Sequence, residues 1–140
     1  MRVYSPFLCI VLAAMACPLF AQGEVHLAVA QNDAARVSQL LEAGADVNAV
    51  MEGGNTALMV GAKYGREEIC RLLLDKGALI NQANNEGNTA LMVAVTAGRR
   101  KVVQLLLSRK ADLTVKNRDG MDARELADLM GYEDILRLLI

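Results

Sequence analysis

The sequence has few of the residues that crosslink small proteins or take part in catalysis. Its 140 residues include no Trp, two Pro, two Phe, three Cys and one His, and both Pro, both Phe and two Cys lie within the first 20 positions. Cys70 is the one thiol after that, so the later chain can form neither an intrachain disulfide nor a CxxC zinc site. The one histidine, His26, has no carboxylate or nucleophile at a spacing that would form a catalytic triad with it. We therefore expect neither an enzyme nor a cofactor-binding protein.

Positive charge is also scarce. All of the 15 Lys and Arg residues except Arg2 lie after residue 23. The same part of the chain contains 16 Asp and Glu residues. The aromatic residues after position 21 are Tyr64 and Tyr132. Proteins that bind nucleic acids need a basic face and often aromatic side chains on which bases stack. We therefore expect no nucleic-acid partner.

The N-terminal residues are predicted to be a signal peptide over residues 1–21. No charge lies between Val3 and Gly23, and the apolar stretch 7–17 (FLCIVLAAMAC) is shorter than the roughly 18 apolar residues that a membrane span needs. Cleavage after Ala21 would make Gln22 the first residue of the mature protein. The protein is therefore expected to be exported, either to a periplasm or out of the cell.

A second cleavage site leaves another interpretation open. The A-x-A pattern that ends at Ala16 directly precedes Cys17, and Ala-Met-Ala-Cys resembles a degraded bacterial lipobox. Cleavage there would leave Cys17 as a lipidated first residue. Membrane association is therefore expected only through a lipid on Cys17 or through an uncleaved leader.

The remaining chain repeats itself with a period of 33 residues. The segment 55–60 (NTALMV) recurs unchanged at 88–93. A period of about 20 to 50 residues is typical of stacked solenoids. The same shift relates further small and aliphatic residues: Gly54, Gly87 and Gly120; Gly65, Gly98 and Gly131; Ala45, Ala78 and Ala111; and the pairs at 40–41, 73–74, 106–107 and 139–140.

These motifs resemble the ankyrin repeat. The T-A-L-M segments at Thr56 and Thr89, the glycines nine residues later and the leucine runs 72–74 and 105–107 follow the family pattern, and the resemblance covers residues 24–140. It implies an all-α solenoid of about four helix-turn-helix repeats after the signal peptide. The ankyrin domain is predicted over residues 22–140, with repeats at about 24–50, 51–83, 84–116 and 117–140.

The residue pattern within a period agrees with this architecture. Each unit has two helices of roughly eight to ten residues, too short to be stable alone. Thr56 is placed to cap the first helix of the second unit, and Gly65 suits the left-handed turn that follows it. The second helix has Ile69, Leu72 and Leu73 at helical spacing. No unit can bury this stripe by itself, so stability is expected to come from stacking.

Three departures from the family pattern bear on stability. T-A-L-M replaces T-P-L-H twice, which loses the proline and the histidine that ties the turn into a hydrogen-bond network. Lys110 stands at the position of Gly44 and Gly77, where a left-handed conformation would cost about 1 kcal/mol. Asp122 and Arg124 replace Thr and Leu in the last unit, which suits a terminal repeat with one face in water.

The resemblance implies a non-catalytic module that binds a protein partner on its concave surface. That surface is formed by the turn tips and the exposed face of each first helix. Tyr64 is the leading candidate because tyrosine is enriched among residues that dominate binding energy. The positions that match the family's contact surface are Glu52, Asn55, Lys63, Tyr64, Asn85, Glu86, Asn88, Thr96, Arg118, Asp119 and Met121.

Other candidate residues favour structural roles. His26 is expected at the edge of the core and Cys70 as a buried, inert thiol. Met59 and Met92 are expected to pack rather than to bind copper. The basic segment 99–101 is either a solvated face or a docking site for an anionic partner. The alternative to a binding module is a lipid-tethered structural protein of the cell envelope, anchored through Cys17.

Overall fold

The computed structural model describes residues 18–140, so Cys17, most of the predicted signal peptide and the cleavage site after Ala16 lie outside the described residues. The described range contains eight α-helices and no β-strand. None of these helices is long and apolar enough to cross a membrane. The helices are α1 (Pro18–Ala30), α2 (Ala34–Glu42), α3 (Ala57–Tyr64), α4 (Glu67–Asp75), α5 (Ala90–Thr96), α6 (Arg100–Ser108), α7 (Ala123–Met130) and α8 (Glu133–Leu139).

The helices stack in two layers. The first helices of successive repeats contact one another in the order α1, α3, α5, α7, and the second helices do so in the order α2, α4, α6, α8. Each first helix also packs on the second helix of its own repeat. The result is the helix-turn-helix solenoid that the 33-residue period predicts, and the predicted boundary after Ala21 falls within α1.

The first helices begin and end as their residue types predict. The Thr56 hydroxyl accepts a hydrogen bond from the Met59 N–H at 3.3 Å, and Thr89 accepts one from the Met92 N–H at 3.4 Å. After α3, Gly65 adopts the left-handed conformation with φ 69°, which costs glycine little because it has no Cβ. These capping predictions are confirmed.

The second helices bury a narrow apolar stripe between the layers. In α4, Ile69 is 1% exposed and Leu73 is fully buried, whereas Leu72 is partly buried. Burying one such side chain contributes about 1.5–3 kcal/mol. The buried side chains form one cluster that runs from Val25 in α1 to Leu139 in α8, so the core is continuous along the stack.

Arginine side chains form hydrogen bonds between neighbouring repeats at the C-terminal ends of the first helices. Arg66 Nη2 donates to the carbonyl oxygen of Ala30 at 2.9 Å, and Arg99 Nε donates to that of Lys63 at 3.0 Å. Both bonds satisfy carbonyls in the last turn of a helix, which have no partner within the helix itself. The 33-residue spacing of Arg66 and Arg99 thus becomes a repeated bridge between repeats.

The last repeat has a charged outer face. Asp122 and Glu125 form a capping box, in which each side chain accepts a hydrogen bond from the other residue's backbone N–H. Arg124 and Asp128 lie one period after the buried Leu91 and Val95, and both are exposed. The outer face of α7 therefore suits contact with water, as expected for a terminal repeat.

Lys110 adopts the left-handed conformation, with φ 62°. The glycines one and two periods earlier, Gly77 and Gly44, have φ values of 94° and 97° in the same turn. The Lys110 Cβ crowds the neighbouring backbone in this conformation, so the backbone is strained at a position where the sister repeats are relaxed.

We predict that Lys110→Gly raises the free energy of unfolding by up to about 1 kcal/mol, because glycine removes this strain. Urea unfolding followed by circular dichroism measures the change. The reciprocal variant Gly77→Lys is the control and should lower stability by a similar amount, since no atom lies within 4 Å of a Cβ placed there and the backbone conformation is the main obstacle. A Lys110→Gly protein no more stable than the parent would contradict the strain argument.

Candidate functional site

A groove of about 730 Å³ lies on the concave side of the first three repeats. Helices α1, α3 and α5 form its floor, and the turns that precede α3 and α5 form one of its walls. Its two ends are separated by the thickness of three stacked helices. The same helices that carry the core therefore position the groove.

The floor of the groove is apolar. Leu27, Val60 and Val93 follow one another at intervals of 33 residues, one on each first helix, and all three line the groove. Met51 and Tyr64 also line it, and their exposed fractions are 45% and 44%. Leu27 is 57% exposed, whereas Val60 and Val93 are partly buried against the core, so Leu27, Met51 and Tyr64 supply most of the apolar surface in contact with water.

The structure brings together seven of the eleven residues selected from the sequence. The four others lie outside the groove: Glu52 in a short 3₁₀ turn (Glu52–Gly54), and Arg118, Asp119 and Met121 at the turn before α7. Met121 is partly buried against the core, which leaves little of it for a partner. The residues that line the groove are Asn55, Lys63, Tyr64, Asn85, Glu86, Asn88 and Thr96.

The side chains of two of these seven residues form hydrogen bonds between turns. Asn84 Nδ2 donates to Asn55 Oδ1 at 2.9 Å, and Asn117 Nδ2 donates to Asn88 Oδ1 at 3.1 Å. Asn84 Oδ1 also accepts from the backbone N–H groups of Glu86 and Asn88, both at 3.0 Å. Asn84 thus fixes its own turn and attaches it to the preceding turn, so Asn55 and Asn88 help to build the wall.

His26 lies on the floor of the groove and stabilises the same wall. The residue is 3% exposed, and its Nε2 donates to the carbonyl oxygen of Asn55 at 3.1 Å. This carbonyl also accepts the Met51 N–H at 2.9 Å, which closes the turn. His26 lies one period before Met59, so the first repeat keeps at this position the histidine that the T-A-L-M segments lack. The expectation of a structural role near the core is met.

The apolar row on the floor was missed in the sequence reasoning, although a signal for it was present. Leu27, Val60 and Val93 are aliphatic in three successive periods, next to small residues that the core requires. A helix position that stays aliphatic in three periods is unexpected for a fully solvated face. The period alone could not reveal which way the side chain points, because that depends on how the helices rotate when they stack.

The opposite wall carries positive charge around an aromatic ring. Lys63 Nζ lies 5.7 Å from the centroid of the Tyr64 ring, and Arg66 Cζ lies 5.9 Å from it. Both distances are within the range of cation–π attraction. Tyr64 therefore lies close to two cations at the rim, with 44% of its surface exposed.

The thiol and two methionines of the repeats are buried. Burial, and secondarily the negative charge of Glu67, raises the pKa of the Cys70 thiol to about 12. At neutral pH this thiol is protonated and therefore a poor nucleophile. Met59 and Met92 are buried in the core, and residues 18–140 contain no cluster of three His, Cys, Asp or Glu residues that could hold a metal ion.

The sequence was compared with known families and proteins. A family model described as ankyrin repeats (3 copies) matches residues 25–117, which is more than half of the chain and includes every residue of the groove except Gly23. The search of curated proteins returned no match.

We predict that Asn84→Ala lowers the free energy of unfolding by about 1–3 kcal/mol, because it removes three side-chain hydrogen bonds, two within its own turn and one to the preceding turn. Asn85→Ala is the matched control: Asn85 is the next residue of the same turn, and we expect a change within about 0.5 kcal/mol for an exposed position. Urea unfolding compares the two variants. Equal losses would show that the turn does not depend on Asn84.

Proposed function

This chain belongs to the ankyrin repeat family, and we propose that it is a non-catalytic module that binds a protein partner in its concave groove. The observation that supports this most directly is the apolar floor. Apolar side chains that line a groove and remain partly exposed are typical of binding sites. Here the apolar surface lies in a concave groove bordered by polar side chains, an arrangement that is common in protein-binding sites.

The construction of the groove favours binding with a small entropic cost. The wall formed by the turns is fixed by the Asn84 and Asn117 side chains and by two backbone bonds: Asn85 N–H to Gly53 O at 2.9 Å, and Arg118 N–H to Glu86 O at 3.0 Å. The floor consists of helices anchored in the core. A surface that is ordered before binding loses little conformational freedom when the partner docks.

We also propose that the protein is exported, to a periplasm or out of the cell. The support is the uncharged leader of signal-peptide length. Cleavage after Ala21 would remove residues 18–21 from α1 and keep Val25, Ala28 and Val29, which are buried in the core.

The alternative is a lipid-tethered envelope protein anchored through Cys17. Its support is the Ala-Met-Ala-Cys segment, which would place the solenoid a few residues from a membrane surface. In this alternative the groove would serve a structural attachment within the envelope.

We predict that the mature protein purified from its native host begins at Gln22, because the leader ends in a small residue at Ala21. Intact-mass and N-terminal peptide mass spectrometry measure this directly. A diacylated Cys17 would instead establish the tethered form, and an intact Met1 would contradict export by cleavage.

We predict that the double variant Tyr64→Ala, Glu86→Lys weakens partner binding without changing helix content, since both side chains line the groove and neither is buried. Affinity capture from envelope and secreted fractions, followed by titration of the captured protein, measures the loss. Circular dichroism checks the helix content.

A matched pair of leucines tests whether binding depends on the groove or on another part of the surface. Leu27 and Leu79 are 57% and 59% exposed, but only Leu27 lines the groove. Leu27→Ala should weaken binding and Leu79→Ala should leave it unchanged. Equal affinity of the parent, the double variant and Leu27→Ala would place the binding surface elsewhere, and the proposal would fail.

A further inference from the structure

The two walls of the groove carry charges of opposite sign. We define the turn wall by Glu86, which lines the groove, and by Glu52, which lies just outside it at the preceding tip. We define the helix-end wall by Lys63, which lines the groove, and by Arg66 and Arg99, which lie beyond the lining where α3 and α5 meet the helices that follow. The apolar row Leu27, Val60 and Val93 lies between the two walls. The groove is thus apolar along its centre and polarised across its width.

The charges of the helix-end wall have no internal compensation. None of its three cations forms an ion pair with another residue of the described range, whereas Arg71 pairs with Glu67, Arg100 with Asp134 and Arg109 with Asp75. Arg66 and Arg99 are held in place by their bonds to backbone carbonyls, and Lys63 is exposed beside Tyr64. Lys63 therefore presents a positive charge to the groove, and Arg66 and Arg99 are held beside Tyr64 and Lys63, two residues that line it.

The turn wall is negative over the same length. Glu52 and Glu86 are exposed, and neither forms an ion pair within residues 18–140. The next tip, outside the groove, has both Arg118 and Asp119, whose charges cancel. The negative edge is therefore confined to the repeats that form the groove.

On the basis of the proposed function, we infer that the groove binds an amphipathic helix with acidic residues along one flank and basic residues along the other. Its apolar stripe would lie on Leu27, Val60 and Val93, its acidic flank against Lys63, Arg66 and Arg99, and its basic flank against Glu52 and Glu86. A helix can present one apolar stripe and two lateral flanks at once. An extended strand has only two side-chain faces, so it cannot match a floor and two walls of different character.

The spacing of the floor sets the length of the bound helix. Packed helices lie about 8–10 Å apart, so the three first helices span about 20 Å between the outer positions. An α-helix rises about 1.5 Å per residue, so a segment of roughly 13 residues covers that span. The bound segment would therefore place three or four apolar side chains on the floor.

Selection from a display library of random 16-residue peptides tests this inference without presupposing a sequence. The full chain is immobilised, and enriched peptides are synthesised and their Kd values are measured by fluorescence anisotropy. We expect apolar residues at helical spacing with Asp or Glu on one flank and Lys or Arg on the other. Affinity should fall as the salt concentration rises, because the flanking pairs lie at solvent-exposed edges.

Charge reversals locate the contacts. Lys63→Glu and Glu86→Lys should each weaken binding of the selected peptides by roughly two- to five-fold, because each removes an exposed ion pair with the peptide. The matched controls Lys101→Glu and Glu68→Lys reverse exposed charges on α6 and α4, outside the groove, and should leave Kd unchanged. A peptide with its acidic flank changed to Lys should prefer the Lys63→Glu protein to the parent.

The outcomes distinguish this inference from the proposed function. Enriched peptides with neutral flanks, or with one sign of charge on both, that still lose affinity for Leu27→Ala would overturn the polarised-helix inference and support the groove as a binding site. Peptides that bind the Leu27→Ala and Leu79→Ala proteins equally well, or no enrichment at all, would overturn both. Helix content measured by circular dichroism confirms that each variant is folded.

Discussion

The structure depends on one constraint: no single repeat can bury its own apolar residues. The helices of seven to nine residues after α1 are too short to persist alone, and the stripe that includes Ile69 and Leu73 is covered only when the next repeat packs on it. The core that results runs from Val25 to Leu139 without interruption. Because every repeat needs its neighbours, substitutions in one repeat weaken the interface on both sides of it.

The same constraint produces the groove. Stacking in constant register turns each position of the 33-residue period into a row of side chains at similar spacing. One row gives the apolar floor, another gives the bridges of Arg66 and Arg99, and a third joins Asn84 to Asn55. The binding surface and the bonds that hold it are therefore consequences of one repeat, which explains how a small chain can present an ordered groove.

The site was only partly predictable. Tyr64 and Lys63 are predicted from the contact surface of the family that the repeats resemble, and both line the groove. Asn55 was selected as a contact, although its side chain also receives a hydrogen bond from the next turn. Leu27 was missed because its alternation with buried neighbours does not show which face of α1 meets α3. Such assignments depend on the rotation of each helix, which local residue patterns constrain weakly.

The sequence by itself determined the repeat, the number and approximate ends of the helices, and the strained turn at Lys110, because capping, glycine conformation and helical spacing act over a few residues. Only the tertiary structure decided that His26 supports the wall of the groove and that cations and carboxylates face each other across an apolar floor. Those arrangements join residues about 30 positions apart. The packing of neighbouring repeats sets their geometry. This interaction is long-range, so local residue patterns do not predict it.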